Sequence, residues 1–251
     1  MSLSDWRGKV ALVTGATAGI GRALAISLVA DGLIVVACGR RQDRLDDLAA
    51  EAQGRAGFLT PIACDLRDEA AIHSMFKQIR ALHGGVDLLI NNAGMGRRAP
   101  LIGGDPAAWR EMFDVNVLAL CLCTQQAIAD MRKRGDCGQV IHLSSMSAYR
   151  VPRGSGVYAS TKHAVRALTE ALRLELRDLD SGIRVTAISP GLVQTEFAER
   201  YHGNPGASHQ TYGRFPVLQP ADIVRTVRHL LSQPPHVEIH DVLLRPTKQP
   251  T

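Results

Sequence analysis

The sequence predicts an α/β fold: a doubly wound, parallel, seven-stranded sheet with helices on both faces. Three observations predict it. Seven short runs rich in aliphatic residues recur along the chain, most of them apolar nearly throughout, as strands buried on both faces are. Longer segments with apolar residues at steps of three and four separate them. Segments of unusual composition follow directly after the runs, where an open parallel sheet collects its ligand-binding loops. The 251 residues suit one domain, taken as 1–251, with no linker, repeat or low-complexity segment.

The strand-like runs are Val10–Thr14, Leu33–Cys38, Phe58–Cys64, Val86–Ile90, Val140–Leu143, Ile183–Ile188 and Glu238–Leu244. Between them, Ile72, Met75, Phe76, Ile79 and Leu82 mark one helical stripe, and Val165, Leu168, Leu172, Leu176 and Leu179 another. Residues 109–131, with Trp109, read as a long helix suited to packing against a partner subunit. The stretch Phe197–Gln219 has little periodicity and is rich in glycine, proline and polar residues. It reads as irregular, and residues 192–219 as a substrate-binding loop.

The first run leads into Thr14-Gly15-Ala16-Thr17-Ala18-Gly19-Ile20-Gly21. Glycines permit a tight turn and let backbone N–H groups approach a pyrophosphate. The start of the following helix adds its positive dipole end. The second run ends at Gly39-Arg40-Arg41. A carboxylate there would accept from a ribose hydroxyl, whereas arginine offers a charged fork to a 2′-phosphate, so NADP is favoured over NAD. Arg40 is the first choice for that contact and Arg41 the second. After the fourth run, Asn91-Asn92-Ala93-Gly94 places amides and a glycine at a strand end, a site for ribose or adenine or a simple turn.

Ser144-Ser145 follows the fifth run, and Tyr158-Ala159-Ser160-Thr161-Lys162 comes soon after. Tyr158 and Lys162 share a helix face. An ammonium beside a phenol favours the phenolate and eases proton transfer, while a hydroxyl such as that of Ser145 orients a carbonyl oxygen.

Taken in order, TGATAGIG, NNAG, Asn116, Ser145, YASTK and Pro190-Gly191 resemble the short-chain dehydrogenase/reductase family across nearly the whole chain. The resemblance implies a Rossmann-like domain with strand order 3-2-1-4-5-6-7 and a catalytic group of Asn116, Ser145, Tyr158 and Lys162. In it Tyr158 moves the proton and Ser145 positions the substrate oxygen. Lys162 contacts the nicotinamide ribose and lowers the tyrosine pKa, and Asn116 holds a water in a proton relay. It also implies cofactor contacts from Gly15, Thr17, Gly19, Ile20, Gly21, Asn92, Ala93 and Gly94, with Tyr158 and Lys162. Asp65 and Leu66 would sit by the adenine, and Pro190, Gly191, Val193 and Thr195 around the nicotinamide. The ending Val242–Thr247 departs from the Asp-Gly-Gly of many members. With VNVLAL at 115–120 it is similar to a branch that holds vertebrate steroid-type carbonyl reductases and insect farnesol dehydrogenases. Bacterial NADP-dependent 3-hydroxy acid dehydrogenases have a related ending. A homodimer or homotetramer is implied as well.

The reaction expected is reversible hydride transfer between NADP(H) and a carbonyl or secondary alcohol of lipophilic type, in a pocket of Met95, Met146, Val151, Val157, Leu192 and Phe197. A competing reading places a substrate carboxylate on Arg97, Arg98, Arg150 or Arg153, as in a 3-hydroxy acid dehydrogenase. A non-catalytic NADP sensor is the other class. Charge offers no further partner: the net +5 comes from scattered residues, with no basic helix for nucleic acid. The five cysteines form no ladder, so neither a metal site nor a disulfide framework is expected. The first ten residues hold no apolar core of a secretory signal. No apolar stretch reaches the roughly 18 residues that cross a bilayer. A reducing, cytoplasmic setting follows.

Overall fold

The computed structural model describes residues 2–250. Its strands are β1 (Val10–Thr14), β2 (Ile34–Gly39), β3 (Phe58–Ala63), β4 (Leu88–Asn91), β5 (Cys137–Leu143), β6 (Gly182–Pro190) and β7 (Asp241–Leu244). All neighbouring pairs are parallel, in the order β3-β2-β1-β4-β5-β6-β7. The strand order reverses between β1 and β4, which opens a crevice at the carboxyl ends.

Helices α1 (Gly19–Ala30), α2 (Gln42–Ala52), α3 (Glu69–His83), α4 (Pro106–Phe113), α5 (Ala119–Lys133), α6 (Gly156–Asp178), α7 (Phe197–His202), α8 (Ala207–Tyr212) and α9 (Pro220–Leu231) complete the chain. Successive strand residues face opposite sides. Ala11 and Val13 therefore pack with Leu24 and Leu28 of α1 and Val227 of α9, while Val10 and Leu12 pack with Phe76 and Ile79 of α3 and Cys123 of α5. Each fully buried leucine-sized side chain contributes about 1.5–3 kcal/mol. Helix α3 starts where the Asp68 carboxylate accepts from the N–H groups of Ala70 and Ala71, at 2.9 and 3.3 Å. It stops at Gly84, whose φ of +77° few other residues adopt.

Strand ends differ from expectation where side chains replace ladder partners. Strand β4 begins two residues late because the Asp87 carboxylate accepts from Val10 N at 2.8 Å and from Arg134 at 3.0 Å. Strand β7 begins at Asp241 because Glu238 engages β6 through its side chain, accepting from Val185 N at 2.7 Å. The apolar stripes also run out at their ends. Leu82 and Leu179 are exposed, where α3 and α6 reach past the buried part of the core.

One expectation needs correction. The stretch 197–219 is not irregular: α7 and α8 lie within it, each too short to establish a period, with Gly203–Gly206 between them. Its base is pinned where Gln194 N donates to Leu218 O and Leu218 N to Leu192 O, at 2.8 and 3.1 Å. Helices α4 and α5 are continuous through a π-helical turn at Asp114–Leu118 and form the long helix expected over 109–131. The resulting Pro106–Lys133 helix is long and apolar enough to cross a membrane by length and composition. Its inward side carries Asn116, Thr124 and Asp130 and is built into the core, whereas Phe113 and Leu118 remain exposed.

Candidate active site

The carboxyl ends of the strands bound two cavities that share Ile20, Asn92, Gly94, Thr195 and Phe197. The first holds about 480 Å³ and is bounded by the loops after β1, β2, β3 and β4. Gly15 turns there at φ +68°, and a Cβ on it would lie 2.9 Å from Ala93 Cα. Thr14 Oγ1 accepts from the N–H groups of Asn92 and Ala93, both at 3.0 Å. The Asn92 amide in turn donates to Thr14 O at 2.8 Å and Gly15 O at 3.2 Å. Asn92 is thus a brace that locks two loops together. Gly21 lies beneath it, and a Cβ there would meet the Asn92 amide at 2.4 Å, so Gly21 serves packing and does not line the cavity.

Gly15, Thr17, Gly19, Ile20, Arg40, Arg41, Asp65, Leu66, Asn92, Ala93, Gly94 and Thr195, all expected at the cofactor, line this first cavity. The two arginines differ. Arg41 donates to Thr17 Oγ1 at 2.9 Å and lies 3.7 Å from Glu196, whereas Arg40 is exposed. Hydrogen bonds from Arg67 hold the Asp65 carboxyl below its ordinary range. Glycine-lined turns and the start of α1 suit the pyrophosphate of a dinucleotide.

The second cavity holds about 790 Å³ and lies between β5, β6, α6 and the 192–219 loop. Ser145, Tyr158, Lys162, Pro190, Gly191 and Val193 line it. Ser145 heads a short 3-10 turn and accepts from Ser147 N at 3.1 Å. Tyr158 lies 5.5 Å from the Phe197 ring and 6.3 Å from that of Tyr201. Tyr201 is fixed by a 2.5 Å hydrogen bond between its hydroxyl and Ser155 Oγ. Burial pushes the Tyr158 phenol up to about 12, and the Ser145 hydroxyl acts in the opposite direction.

Lys162 departs from the expected arrangement. Its ammonium donates to Leu143 O at 2.9 Å. Burial brings Lys162 itself down to about 8. Asn116 sits in the π-helical turn and lines neither cavity. Its amide donates to Met95 O and Thr161 Oγ1 at 2.8 and 3.0 Å, and its carbonyl accepts from Met95 N at 2.8 Å. The side chain therefore fixes the loop after β4 and has no amide hydrogen left for a water.

The expected apolar pocket is corrected in part. Met146, Leu192 and Phe197 line the substrate-side cavity. Met95 faces the first cavity, Val157 is buried against Ala99 and Met112, and Val151 is exposed. Of the four arginines, Arg150 alone lines the second cavity, while Arg97 lines the first. Sequence reasoning missed the close approach at Gly39, where a Cβ would lie 2.5 Å from Thr17 Cγ2. It also missed Glu196 and Arg200 on the first cavity and Tyr201, Tyr212 and Phe215 on the second. The aromatic residues clustered in 197–215 were the available signal.

The sequence pattern described as short chain dehydrogenase matches residues 9–205. Among curated relatives, dehydrogenase/reductase SDR family member 11 of Mus musculus is 48% identical, over 99% of this chain and 98% of the relative. Farnesol dehydrogenase of Aedes aegypti is 39% identical, over 97% and 98%. Among solved structures, the closed form of serine dehydrogenase complexed with NADP+ aligns with a TM-score of 0.90 and 33% identity, covering 96% of each chain.

Proposed function

The chain belongs to the short-chain dehydrogenase family of nicotinamide-dependent oxidoreductases, and from that premise we propose that it interconverts a lipophilic carbonyl compound and its secondary alcohol with NADP(H). The observation that carries this reading is the junction of the two cavities, where Tyr158 and Ser145 stand beside the residues shared by both.

The bound cofactor supplies or takes up the hydride. Ser145 orients the substrate oxygen by hydrogen bonding, and Tyr158 exchanges the proton with it. Because burial keeps the phenol protonated at neutral pH, Tyr158 is set to act as the acid in reduction. Phe197 and Tyr201 exclude water from one side of the phenol. Thr17 holds Arg41 ready for a 2′-phosphate, which supports NADP over NAD. The aromatic wall supports a steroid- or isoprenoid-sized body, a size that the 790 Å³ cavity accepts.

Exposed Phe113, Leu118 and Leu174 support a homo-oligomer assembled through α4, α5 and α6. The cysteines, all free thiols, support a reducing cytoplasmic setting.

The reading is tested by following NADPH and NADH oxidation in parallel over steroid, isoprenoid, quinone and short oxo-acid carbonyls, with Tyr158→Phe as control. NADPH-dependent turnover of the lipophilic compounds, lost in the variant, is expected. Preference for NADH or for the short acids overturns the corresponding assignment.

A further inference from the structure

The second cavity has a one-sided charge distribution. Besides Lys162, its lining includes Arg150, His202, Arg214 and Lys248, and it includes no aspartate or glutamate. None of these four forms an ion pair among the described residues. Elsewhere on the surface, arginines such as Arg22, Arg67 and Arg225 are paired with carboxylates. The first cavity is different in kind, because Asp65 and Glu196 offset its arginines.

The four basic residues come from three separate segments that line one cavity. Arg150 follows the short turn after β5, His202 ends α7, Arg214 follows α8, and Lys248 lies beyond β7. The last segment is held in place, since Leu192 N donates to Gln249 Oε1 at 2.9 Å and Arg150 donates to Pro250 O at 3.2 Å. Arg150 Nε is buried at this wall without a partner. Basic residues that line one cavity with no aspartate or glutamate among the described residues to offset them favour a bound anion.

Their position relative to the chemistry limits what that anion is. The groups around the phenol are Ser145, Phe197, Tyr201 and Tyr212, a hydroxyl and three aromatic rings, and none of the four basic residues is among them. We propose that the substrate is amphipathic, with an apolar body against these rings and an anionic oxygen group, a carboxylate or a sulfate, at the end remote from its carbonyl. Arg150, Arg214 and Lys248 receive that group, with His202 adding charge when protonated. This inference rests on the dehydrogenase reading above for the location of the carbonyl, and it differs from a 3-hydroxy acid, whose carboxylate would sit beside the phenol.

The test compares an acetylphenyl-substituted hexanoic acid, its sulfate-ended analogue and its neutral methyl ester on the NADP-loaded protein. Both binding and turnover are measured, for the wild type and for the double variant Arg214→Met/Lys248→Met. Both positions are exposed, so the fold should tolerate the change. The anionic compounds are expected to bind about tenfold or more tightly than the ester, as charge-assisted hydrogen bonds imply. That ratio should shrink at high ionic strength and fall toward one in the double variant. Equal binding of acid and ester, or a ratio that persists in the variant, overturns the proposal. A binding preference without turnover would count against the catalytic reading alone. Comparing the carboxylate with the sulfate then decides between the two anion types.

Discussion

Glu196 Oε1 lies 2.5 Å from Nη1 of Arg44, so the loop over the substrate cavity is tied to the helix that follows β2. Arg200 also pairs with Glu196, and Arg41 stands 3.7 Å away. Burial works against ionisation of Glu196, but the Arg44 hydrogen bond and the charges of Arg200, Arg44 and Arg41 hold its carboxyl below the ordinary range. In this arrangement the carboxylate occupies cations that a cofactor phosphate would otherwise engage. Glu196→Gln is therefore expected to lower the KM for NADPH by about fivefold, as about 1 kcal/mol of competing charge interaction implies. An unchanged or raised KM would show that the carboxylate does not compete.

Arg41 and Arg40 should not be equivalent. Thr17 fixes the Arg41 guanidinium at 2.9 Å, whereas Arg40 is exposed and must be ordered when a phosphate binds. Arg41→Gln is expected to raise the KM for NADPH by about 10- to 100-fold, the worth of a charge-assisted hydrogen bond, with little effect on NADH. Arg40→Gln should do less. Steady-state kinetics with both cofactors checks this, and a larger effect at Arg40 would reverse the assignment.

The sequence made the sheet legible because strands buried on both faces write their burial directly into aliphatic runs. The glycine turn at Gly15, the Tyr158/Lys162 spacing and the loop after β4 were legible for a similar reason: local chemistry constrains the residue types. What escaped were relationships between distant segments. Nothing near Asp87 in sequence announces that its carboxylate replaces a ladder partner of Val10. Likewise, a YxxxK spacing places Lys162 beside Tyr158 on a helix face but says nothing of Leu143 O, which takes the ammonium. The segment of short helices α7 and α8 is held by loop-end contacts, and α7 by stacking of Phe197 on Tyr201, neither of which leaves a period.

Tyr158 makes the strongest kinetic prediction. Its phenol is pushed up to about 12 by burial, so its acid form persists well above neutral pH. Tyr158→Phe is expected to cut turnover by about 10²- to 10⁴-fold, the range for general acid–base catalysis, while NADPH binding stays within a fewfold of wild type. In the cofactor-free protein, ultraviolet titration should detect no ionisation of Tyr158 up to pH 10. A tyrosinate signal below that pH, present in the wild type and missing from Tyr158→Phe, would contradict the burial argument.

His142 provides a stability prediction independent of catalysis. Thr169 Oγ1 donates to Val165 O at 2.7 Å, so it accepts from His142 Nδ1–H at 2.9 Å. His142 Nε2 is then left as the acceptor of the Thr124 hydroxyl at 3.3 Å, and Thr124 Oγ1 is itself braced by the Asn91 amide at 2.9 Å. Every hydrogen in this buried chain is placed for a neutral imidazole. Burial, with the Lys162 and Arg173 charges, lowers the His142 pKa from 6.5 to about 3. Between those values the unfolded chain binds a proton that the folded one refuses. Stability is therefore fully present above pH 6.5 and declines by up to about 1.4 kcal/mol per pH unit as the pH falls toward 3. Denaturant unfolding at several pH values should give His142→Asn a lower stability at pH 7, because packing and hydrogen bonds are lost, but a shallower loss toward pH 4. Parallel pH dependences for the two proteins would mean that another group, and not the neutral imidazole between Thr124 and Thr169, governs the acid limb.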